Sequence, residues 1–329
     1  MKKWIILLSS VILLVVISIV SISLGRYSIA IKDVILTILG KQTSKSIYHV
    51  IVNLRLPRLL ASLLIGAALA VAGATYQGIF QNPLVSPDLL GVSAGACTGA
   101  AVAIIAGVGS FLVTTTAFVF GVISVILSLL LALATRKKAN LILIFAGIII
   151  GRFMDSIVGI LIYFADEGSQ LGEIIDWQLG TMSKVSMNDI YYLAPIVIVC
   201  IIFMLLFRWR INLLSVGDRD AKSLGVNVML DRYILIGLST LLTAVSVCVA
   251  GTIAWVGLII PHIARWIIGS DNRNVIPLCI TLGATFLTLA DTVARSATAF
   301  ELPLGVITGL IGAPIFAIIL LKQKKGVSL

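Results

Sequence analysis

Residues 66–74 read Gly-Ala-Ala-Leu-Ala-Val-Ala-Gly-Ala, and residues 81–87 read Gln-Asn-Pro-Leu-Val-Ser-Pro. The first stretch predicts a helix whose small side chains let neighbouring backbones approach closely, as helices do in lipid. The second stretch predicts a break, because its two prolines cannot continue that helix. Non-helical backbone at membrane depth is tolerated only where it lines a cavity or a boundary. Together the two stretches predict an all-α membrane protein with a polar interruption between two spans.

The composition of the whole chain favours the same class. Of its 329 residues, 60% are hydrophobic and only 12% are charged, whereas soluble domains carry roughly a quarter charged residues. A helical span takes about 20 apolar residues. We therefore predict about ten spans, the first of them retained rather than cleaved as a signal peptide: Trp4–Leu24, 58–79, 92–108, 111–134, 141–164, 190–207, 233–252, 254–268, 275–294 and 304–321.

A weak internal repeat predicts two halves of opposite orientation within a single transmembrane domain covering residues 1–329. Val71-Ala72-Gly73 recurs as Val249-Ala250-Gly251, and Pro83 recurs as Pro261, at the same offset. Inverted repeats are typical of transporters, because each half can close the path from one side. The predicted halves are about 1–189 and 190–329, and chance similarity between glycine-rich helices is the alternative.

The net charge of +10 is interpreted as an orientation signal. Fifteen lysines and arginines fall on the side of the N-terminus, including the run Arg136-Lys137-Lys138, and eight fall on the other side. Basic loops stay in the cytoplasm, so both termini are predicted to be cytoplasmic, in a bacterial inner membrane. Because the excess of basic residues is explained by orientation in the membrane, we predict that the chain has no nucleic-acid partner.

Motifs for chemistry are missing from the sequence. It contains no phosphate-binding loop, no serine-hydrolase elbow and no zinc-protease motif. Its two histidines are far apart, and each of its four cysteines stands alone in an apolar run. We predict that the chain is not an enzyme, binds no metal or cofactor of its own, and buries its cysteines as small hydrophobic residues.

Several motifs resemble those of the FecCD-type permeases, the membrane subunits of type II ABC importers for iron-siderophores, haem and vitamin B12. The resemblance runs from about residue 5 to 322. The similar stretches are RLPR at 55–58, GAALAVAG at 66–73, QNPL at 81–84, LGVSAG at 90–95, GDRDAKSLGV at 217–226, VGLIIPHIAR at 256–265, ELPLGV at 301–306 and GAP at 312–314.

The resemblance implies a permease that works as a pair, either a homodimer or a heterodimer. It implies two cytoplasmic ABC ATPase subunits that carry ATP and Mg, and a substrate-binding protein outside. The implied cargo is a ferric siderophore or a related metal chelate, with vitamin B12, haem and molybdate as alternatives.

The resemblance implies that residues 208–231 form the cytoplasmic loop through which the family couples to its ATPase. We expect two short helices between Asn212 and Val228, with an Asp218–Lys222 pair at i,i+4 and a helix stop at Gly225. An apolar Leu224 among charges suits a groove in a partner. The implied coupling residues are Gly217, Asp218, Ala221, Leu224 and Gly225; an ordinary solvated loop is the alternative.

Three arginines, Arg55, Arg58 and Arg295, match the family positions that bind acidic residues of the binding protein. The guanidinium fork suits a carboxylate, and anchoring to lipid headgroups is the alternative.

Asn82 and Leu84 match the family positions that narrow the path at its cytoplasmic end, and Asn140 and Leu141 match that constriction more loosely.

Arg152 and Asp155 lie inside a predicted span, where a charge costs several kcal/mol and is kept for function or paired. Their i,i+3 spacing places them on one helix face. We consider three roles: a neutralising pair, an Arg152 that faces the path and attracts an anionic chelate, and packing of the dimer.

Two other functions are weighed against the importer. An ion-coupled secondary transporter would use Arg152, Asp155 and Asp291 as a relay, but has no use for the coupling loop. A structural or receptor subunit would not need the proline-bearing interruption at 81–87.

Overall fold

The chain folds into helices, in a computed structural model that describes residues 2–25, 27–41, 44–135, 140–298 and 300–323. The fourteen α-helices of the described residues are α1 Lys2–Ser23, α2 Ile31–Ile38, α3 Lys45–His49, α4 Leu56–Phe80, α5 Val92–Ile105, α6 Ser110–Ala134, α7 Asn140–Phe164, α8 Gln170–Leu179, α9 Met187–Val216, α10 Asp218–Ser223, α11 Val228–Ala250, α12 Val256–Ile268, α13 Asn272–Ser296 and α14 Leu304–Gln323. A π-helical segment, Val50–Arg55, joins α3 to α4, and a short 3₁₀ helix, Pro87–Leu90, precedes α5.

Seven helical segments of the described chain are long and apolar enough to cross a membrane: Lys2–Ser23, Lys45–Phe80, Ser110–Ala134, Leu141–Phe164, Met187–Val216, Val228–Ala250 and Asn272–Ser296. Three shorter apolar helices, Val92–Ile105, Val256–Ile268 and Leu304–Ile319, coincide with the other predicted spans. The all-α membrane class is confirmed, whereas the count of ten crossings stays a prediction.

One predicted boundary is wrong. The ninth helix continues to Val216 instead of ending at 207, because Ile211 and Leu214 keep a buried face after the charges begin. Helices α2 and α3 lie between the first two predicted spans. The basic run at 136–138 and the side chain of Asn140 lie outside the described residues.

α4 forms the centre of the bundle. In the apolar window of Lys45–Phe80, 83% of residues are buried, against 17% in α1. Gly66 of α4 faces Gly283 of α13 so closely that a Cβ on either would collide with the other's carbonyl oxygen. Small residues at a helix crossing therefore perform the predicted role, and all four cysteines are buried as predicted.

Hydroxyl groups fix the direction of α1 against α13. The Thr281 hydroxyl lies 2.9 Å from that of Ser10, and the Thr292 hydroxyl lies 2.8 Å from that of Ser21. Both pairs are 271 residues apart, so the two helices run parallel. Such interhelical hydrogen bonds contribute about 0.6 kcal/mol each in membrane proteins.

Two ends of the bundle can be distinguished from these contacts. At the α10 end (residues 78–87, 211–227 and 262–272), the ends of α4, α9 and α12 meet the start of α13. At the arginine end (residues 21–25, 27, 55–58, 291–298, 300 and 301), the end of α1 meets the start of α4 and the end of α13. Because α1 and α13 are parallel, α1 starts at the α10 end.

The repeated motifs lie in different structural settings. Val71-Ala72-Gly73 is inside α4, whereas Val249-Ala250-Gly251 ends α11; Pro83 lies in a loop and Pro261 inside α12. The division into two inverted halves stays a prediction.

Candidate translocation and coupling site

The short helix α10 is closed by the glycine that the sequence predicts. Gly225 has φ +80°, its N–H donates to the Lys222 carbonyl at 3.0 Å, and the Val226 N–H donates to the Ala221 carbonyl at 3.2 Å. These two bonds form a Schellman motif, which favours glycine at the left-handed position. The predicted stop is confirmed, and Ala221 is fully buried against the bundle.

Two details of this loop differ from expectation. One short helix is present instead of two, because α9 extends to Val216 and α11 already begins at Val228. Asp218 pairs with Arg232 rather than with Lys222, through guanidinium contacts of 2.6 and 3.3 Å. A bidentate arginine–carboxylate pair is stronger than a single contact with a flexible lysine, because the guanidinium matches the geometry of the carboxylate. The pair connects α10 to α11.

Leu224 is an exposed apolar residue at the end of this segment. It follows α10 directly and 62% of it is exposed, in a chain segment that otherwise carries Asp218, Arg219, Asp220 and Lys222. Gly217, at φ +131°, turns the chain from α9 into α10. The five predicted coupling residues therefore lie together at the α10 end.

The 81–87 loop lies at the same end, where the Gln81 side chain binds the Leu214 carbonyl near the end of α9. Its Asn82 side chain accepts a hydrogen bond from the Leu84 N–H at 2.9 Å, and 53% of Leu84 is exposed. Val85 and Pro87 are buried and fix the loop to the bundle. Leu141, at the start of α7, is also exposed.

Four polar side chains that hold this loop were not singled out from the sequence: Gln77, Gln81, His262 and Arg265. Gln81 donates to the Leu214 carbonyl at 3.0 Å, and a ring nitrogen of His262 lies 2.8 Å from the Pro83 carbonyl. Gln77 binds the Leu258 carbonyl at 3.2 Å and accepts from Arg265. Their signal was available, because each is a polar residue in, or directly after, an otherwise apolar helix.

Asp271 fixes the start of α13 at the same end. Its carboxylate accepts from the Asn212 side chain at 2.7 Å and from the Arg273 N–H at 2.9 Å. Desolvation acts to raise the pKa of Asp271, but these hydrogen bonds outweigh it and the pKa lies below its usual value. The charged carboxylate is the form that holds α9 to α13.

At the arginine end, Arg55 and Arg295 bind the end of α1. Arg55 donates to the carbonyls of Ile22, Ser23 and Tyr27, and Arg295 donates to those of Ser21 and Leu24. Both arginines are more than nine-tenths buried. Helix carbonyls left without partners are satisfied by these cations, so both side chains already have partners within the chain.

Arg58 lies between two carboxylates. Its Nε donates to Asp291 and its Nη1 donates to Glu301, both at 2.7 Å. Asp291 is buried, whereas 35% of the Glu301 side chain is exposed. Binding of a partner's carboxylate by these arginines stays a prediction; the contact nearest to solvent is Arg58–Glu301.

Arg152 and Asp155 form the predicted i,i+3 contact, at 3.5 Å on the outside of α7. Their side chains are 83% and 51% exposed, and they border a cavity of about 280 Å³ that Asp88 and Ser93 also line. Asp88 itself accepts from the Ser93 hydroxyl. Arg152 and Asp155 both lie near the middle of α7. Exposed charges in the middle of a membrane-spanning helix are expected to face a water-filled space rather than lipid.

Fold and site together define a multi-span membrane transport protein, with close-packed helices around a central one and a loop-and-helix assembly at one end. The chain belongs to the FecCD transport family, whose sequence model matches residues 13–322. It is a permease subunit of an ABC transporter, and the predicted resemblance is confirmed.

Relatives match over nearly the whole chain. The molybdate import system permease protein MolB of Haemophilus influenzae is 35% identical over 325 residues, covering 98% of this chain and 96% of that protein. The hemin transport system permease protein HmuU of Yersinia pestis is 34% identical over 320 residues, covering 95% and 94%. A solved inward-facing structure of an ABC transporter that is assigned to the metal-chelate type superposes with a TM-score of 0.88 at 35% identity, covering 96% of this chain and 99% of that one.

Proposed function

We propose that this permease imports a metal chelate, as one of two membrane subunits, powered by two ATPase subunits on the α10 side and supplied by a binding protein on the arginine side. ATP and Mg bind the ATPase subunits, and this chain binds no cofactor of its own. The observation that carries the proposal is that the exposed Leu224 and the 81–87 loop lie at the same end of a membrane bundle, where Gln81 binds the Leu214 carbonyl in the last turn of α9. An ATPase docked at Leu224 is then connected to the loop through the end of α9.

The cargo we favour is a ferric siderophore or a related metal chelate. Support comes from the metal-chelate transporter of the same fold, while the molybdate and hemin relatives define the alternatives. Calorimetry of the cognate binding protein against a ferric hydroxamate chelate, haem, cobalamin and molybdate decides between them. Micromolar or tighter binding of the ferric chelate alone supports the proposal, and selective binding of molybdate would replace it.

Coupling to the ATPase is assigned to Gly217, Asp218, Ala221, Leu224 and Gly225, with the exposed Leu224 as the direct contact and the buried Ala221 packing α10 against the bundle. Leu224→Asp places a charge where an apolar groove is expected, and a buried unpaired charge is costly. We expect the ATPase to be lost from affinity-purified permease. Phe300→Asp is the matched control, because Phe300 is also exposed but lies at the arginine end. Undiminished ATPase in the Leu224→Asp sample would contradict this assignment.

Docking of the binding protein is assigned to Arg55, Arg58 and Arg295, with Arg58 as the direct contact. A carboxylate of the partner has to compete with Glu301 for Arg58, because that pair is already formed. Glu301→Gln is therefore expected to strengthen docking several-fold and Arg58→Glu to weaken it, more at low salt than at high salt. Equal binding by both variants in a pull-down would remove Arg58 from the interface.

The gate is assigned to Asn82 and Leu84 in the 81–87 loop. Cysteines placed at position 82 of both subunits should crosslink with a yield that changes when ATP is added to the assembled complex. An ATP-independent yield would place the gate elsewhere.

Arg152 and Asp155 are assigned to the wall of the path, beside the cavity that they border.

The protein is assigned to a bacterial cytoplasmic membrane with the α10 end and both termini inside. The support is the excess of basic residues in the loops of that side. A membrane-impermeant amine reagent on intact cells should modify Lys184, whose side chain is 71% exposed, and spare Lys222. The opposite labelling would invert the topology.

A further inference from the structure

The 81–87 loop is attached to the bundle at two separate places. At its first residue, Gln81 donates to the carbonyl oxygen of Leu214 at 3.0 Å. Leu214 is fully buried and lies in the last turn of α9. The chain continues from there through Gly217 into α10, so this attachment follows any displacement of α10 within a few residues.

Packing reinforces this first attachment. A Cβ built on Gly78, in the last turn of α4, would lie 2.6 Å from the Ile211 side chain. Gln81 itself is in the left-handed region at φ +51°, and it shares that conformation with only one other non-glycine residue among those described, Trp255. Residues held in such conformations persist where surrounding contacts require them. The end of α4 is thus shaped to bring the Gln81 amide onto α9.

The second attachment runs to α12 instead. The Pro83 carbonyl lies 2.8 Å from a ring nitrogen of His262, which is 98% buried, since its relative exposure is 2%. Gln77 reaches both the Val85 and Leu258 carbonyls, at 3.4 and 3.2 Å, and is itself held by Arg265. The middle of the loop is therefore fixed to α12, which is not directly connected to α10 in the chain.

We propose that Gln81 is the positioning residue that transmits movement of α10 to the gate. When the ATPase subunits displace α10 and the last turn of α9, Gln81 draws the start of the loop along, while His262 holds Pro83. The loop then pivots between the two attachments and moves Leu84, whose N–H is fixed to Asn82. This inference rests on the proposed function and names the hydrogen bond through which that function is coupled; coupling of this kind requires a test rather than proximity alone.

The test uses the assembled complex with its ATPase subunits in lipid nanodiscs. A spin label on Leu84→Cys reports the distance between the two loops, and the native cysteines do not interfere because all four are buried. The probe is a non-hydrolysable ATP analogue, so no cargo is needed. Gln81→Asn keeps a side chain that tolerates the left-handed region but shortens it by one methylene. Gln81→Glu keeps the length and removes the donor.

Gln170 provides the matched control. Its side-chain amide also donates to a backbone carbonyl of another helix, Ile105, at 3.2 Å, but it is not part of either attachment. We expect the ATP-dependent distance change to persist in Leu84→Cys and in Leu84→Cys/Gln170→Asn. We expect it to fall by at least half in both Gln81 variants, while ATP hydrolysis by the complex stays within twofold of the parent.

Three outcomes decide the question. An undiminished distance change in both Gln81 variants would overturn the inference and leave the proposed function intact. Loss of ATP hydrolysis in step with the distance change would also overturn it, since Gln81 would then be needed for assembly rather than for transmission. A parent complex without any distance change would contradict the proposed gate and the inference with it.

Discussion

Asp291 lies between two arginines: its carboxylate is 2.7 Å from the Nε of Arg58 and 3.5 Å from the Nε of Arg295. All three side chains are nearly buried, at 3%, 11% and 10% exposure. The arrangement joins the start of α4 to the end of α13. It engages Asp291 in two ion pairs, which is a poor setting for a carboxylate that has to release and rebind protons in an ion-coupled relay.

Removing this carboxylate is expected to destabilise the protein strongly. Asp291→Ala leaves two buried arginines without their shared partner, and breaking a buried pair in this way costs about 3–5 kcal/mol. Thermal unfolding in detergent measures the loss. Glu173→Ala is the control, because it removes an exposed pair with Lys184, and such pairs contribute at most about 1 kcal/mol. Equal melting temperatures for the two variants would contradict the ion-pair account.

The crossing of α4 and α13 should not tolerate a single methyl group at Gly66. Gly66→Ala drives a Cβ into the carbonyl of Gly283, and overpacking of this kind costs about 1–3 kcal/mol. Gly237→Ala, in α11, meets nothing within 4 Å and should be neutral or slightly stabilising. The yield of monodisperse protein and its unfolding temperature distinguish the two variants. Equal stability of the Gly66→Ala and Gly237→Ala variants would show that α4 and α13 do not approach each other closely enough to exclude a methyl group.

Gly225 should matter for coupling through its backbone. Its φ of +80° costs a residue with a Cβ about 1–2 kcal/mol, so Gly225→Ala should loosen the end of α10 and reduce the amount of ATPase that copurifies. Gly225→Asn should retain more, since asparagine tolerates this conformation. Gly172→Ala in α8 serves as the control, as its Cβ would meet nothing within 4 Å. Full ATPase recovery with Gly225→Ala would separate this turn from coupling.

Arg152 should affect transport without affecting stability. Its contact with Asp155 is long and exposed, so Arg152→Gln should change the unfolding free energy by less than about 1 kcal/mol. If Arg152 faces the path, uptake of an anionic chelate should fall several-fold. Lys184→Gln, which removes another exposed cation, is the control. Uptake at the wild-type rate by Arg152→Gln would exclude a role in the path and leave two roles for Arg152, the neutralising pair with Asp155 and packing of the dimer.

The carboxylate of Asp271 should add stability that depends on pH. Its pKa is lowered in the folded protein, so the stabilisation is fully present above the unfolded value near 4 and is lost as the pH falls through the lower folded value. Asp271→Asn should cost about 1.5–3 kcal/mol at pH 7, as expected for hydrogen bonds to a charged group. The difference from wild type should shrink below about pH 4. A pH-independent difference in detergent melting curves would assign the effect to shape rather than to charge.

The positions of the membrane helices could be predicted from the sequence, because apolar runs of the required length are a local property. The Gly225 stop was equally predictable, since a glycine after a short polar helix carries a specific turn chemistry. The small-residue run at 66–74 also predicted close helix packing, although it could not name Gly283 as the opposite residue.

The parts that failed depend on partners distant in the chain. Asp218 had an apparent partner at Lys222, but Arg232 binds it because α11 folds back beside α10. Hydropathy ends at Arg208, yet α9 continues because Ile211 and Leu214 are buried against the α10 end. For Arg55 and Arg295 the sequence predicted a contact with a partner protein, but it could not predict their bonds to the end of α1, because those depend on the tertiary fold.

The central claim is that this permease moves a metal chelate with energy from ATP hydrolysed on partner subunits. The most direct measurement is uptake of the radiolabelled ligand of the cognate binding protein into proteoliposomes holding the permease and ATPase subunits, with ATP on the α10 side. The account predicts uptake that requires ATP and the binding protein, is abolished by vanadate and is unaffected by a protonophore. Uptake that persists without ATP and collapses with the protonophore would contradict it.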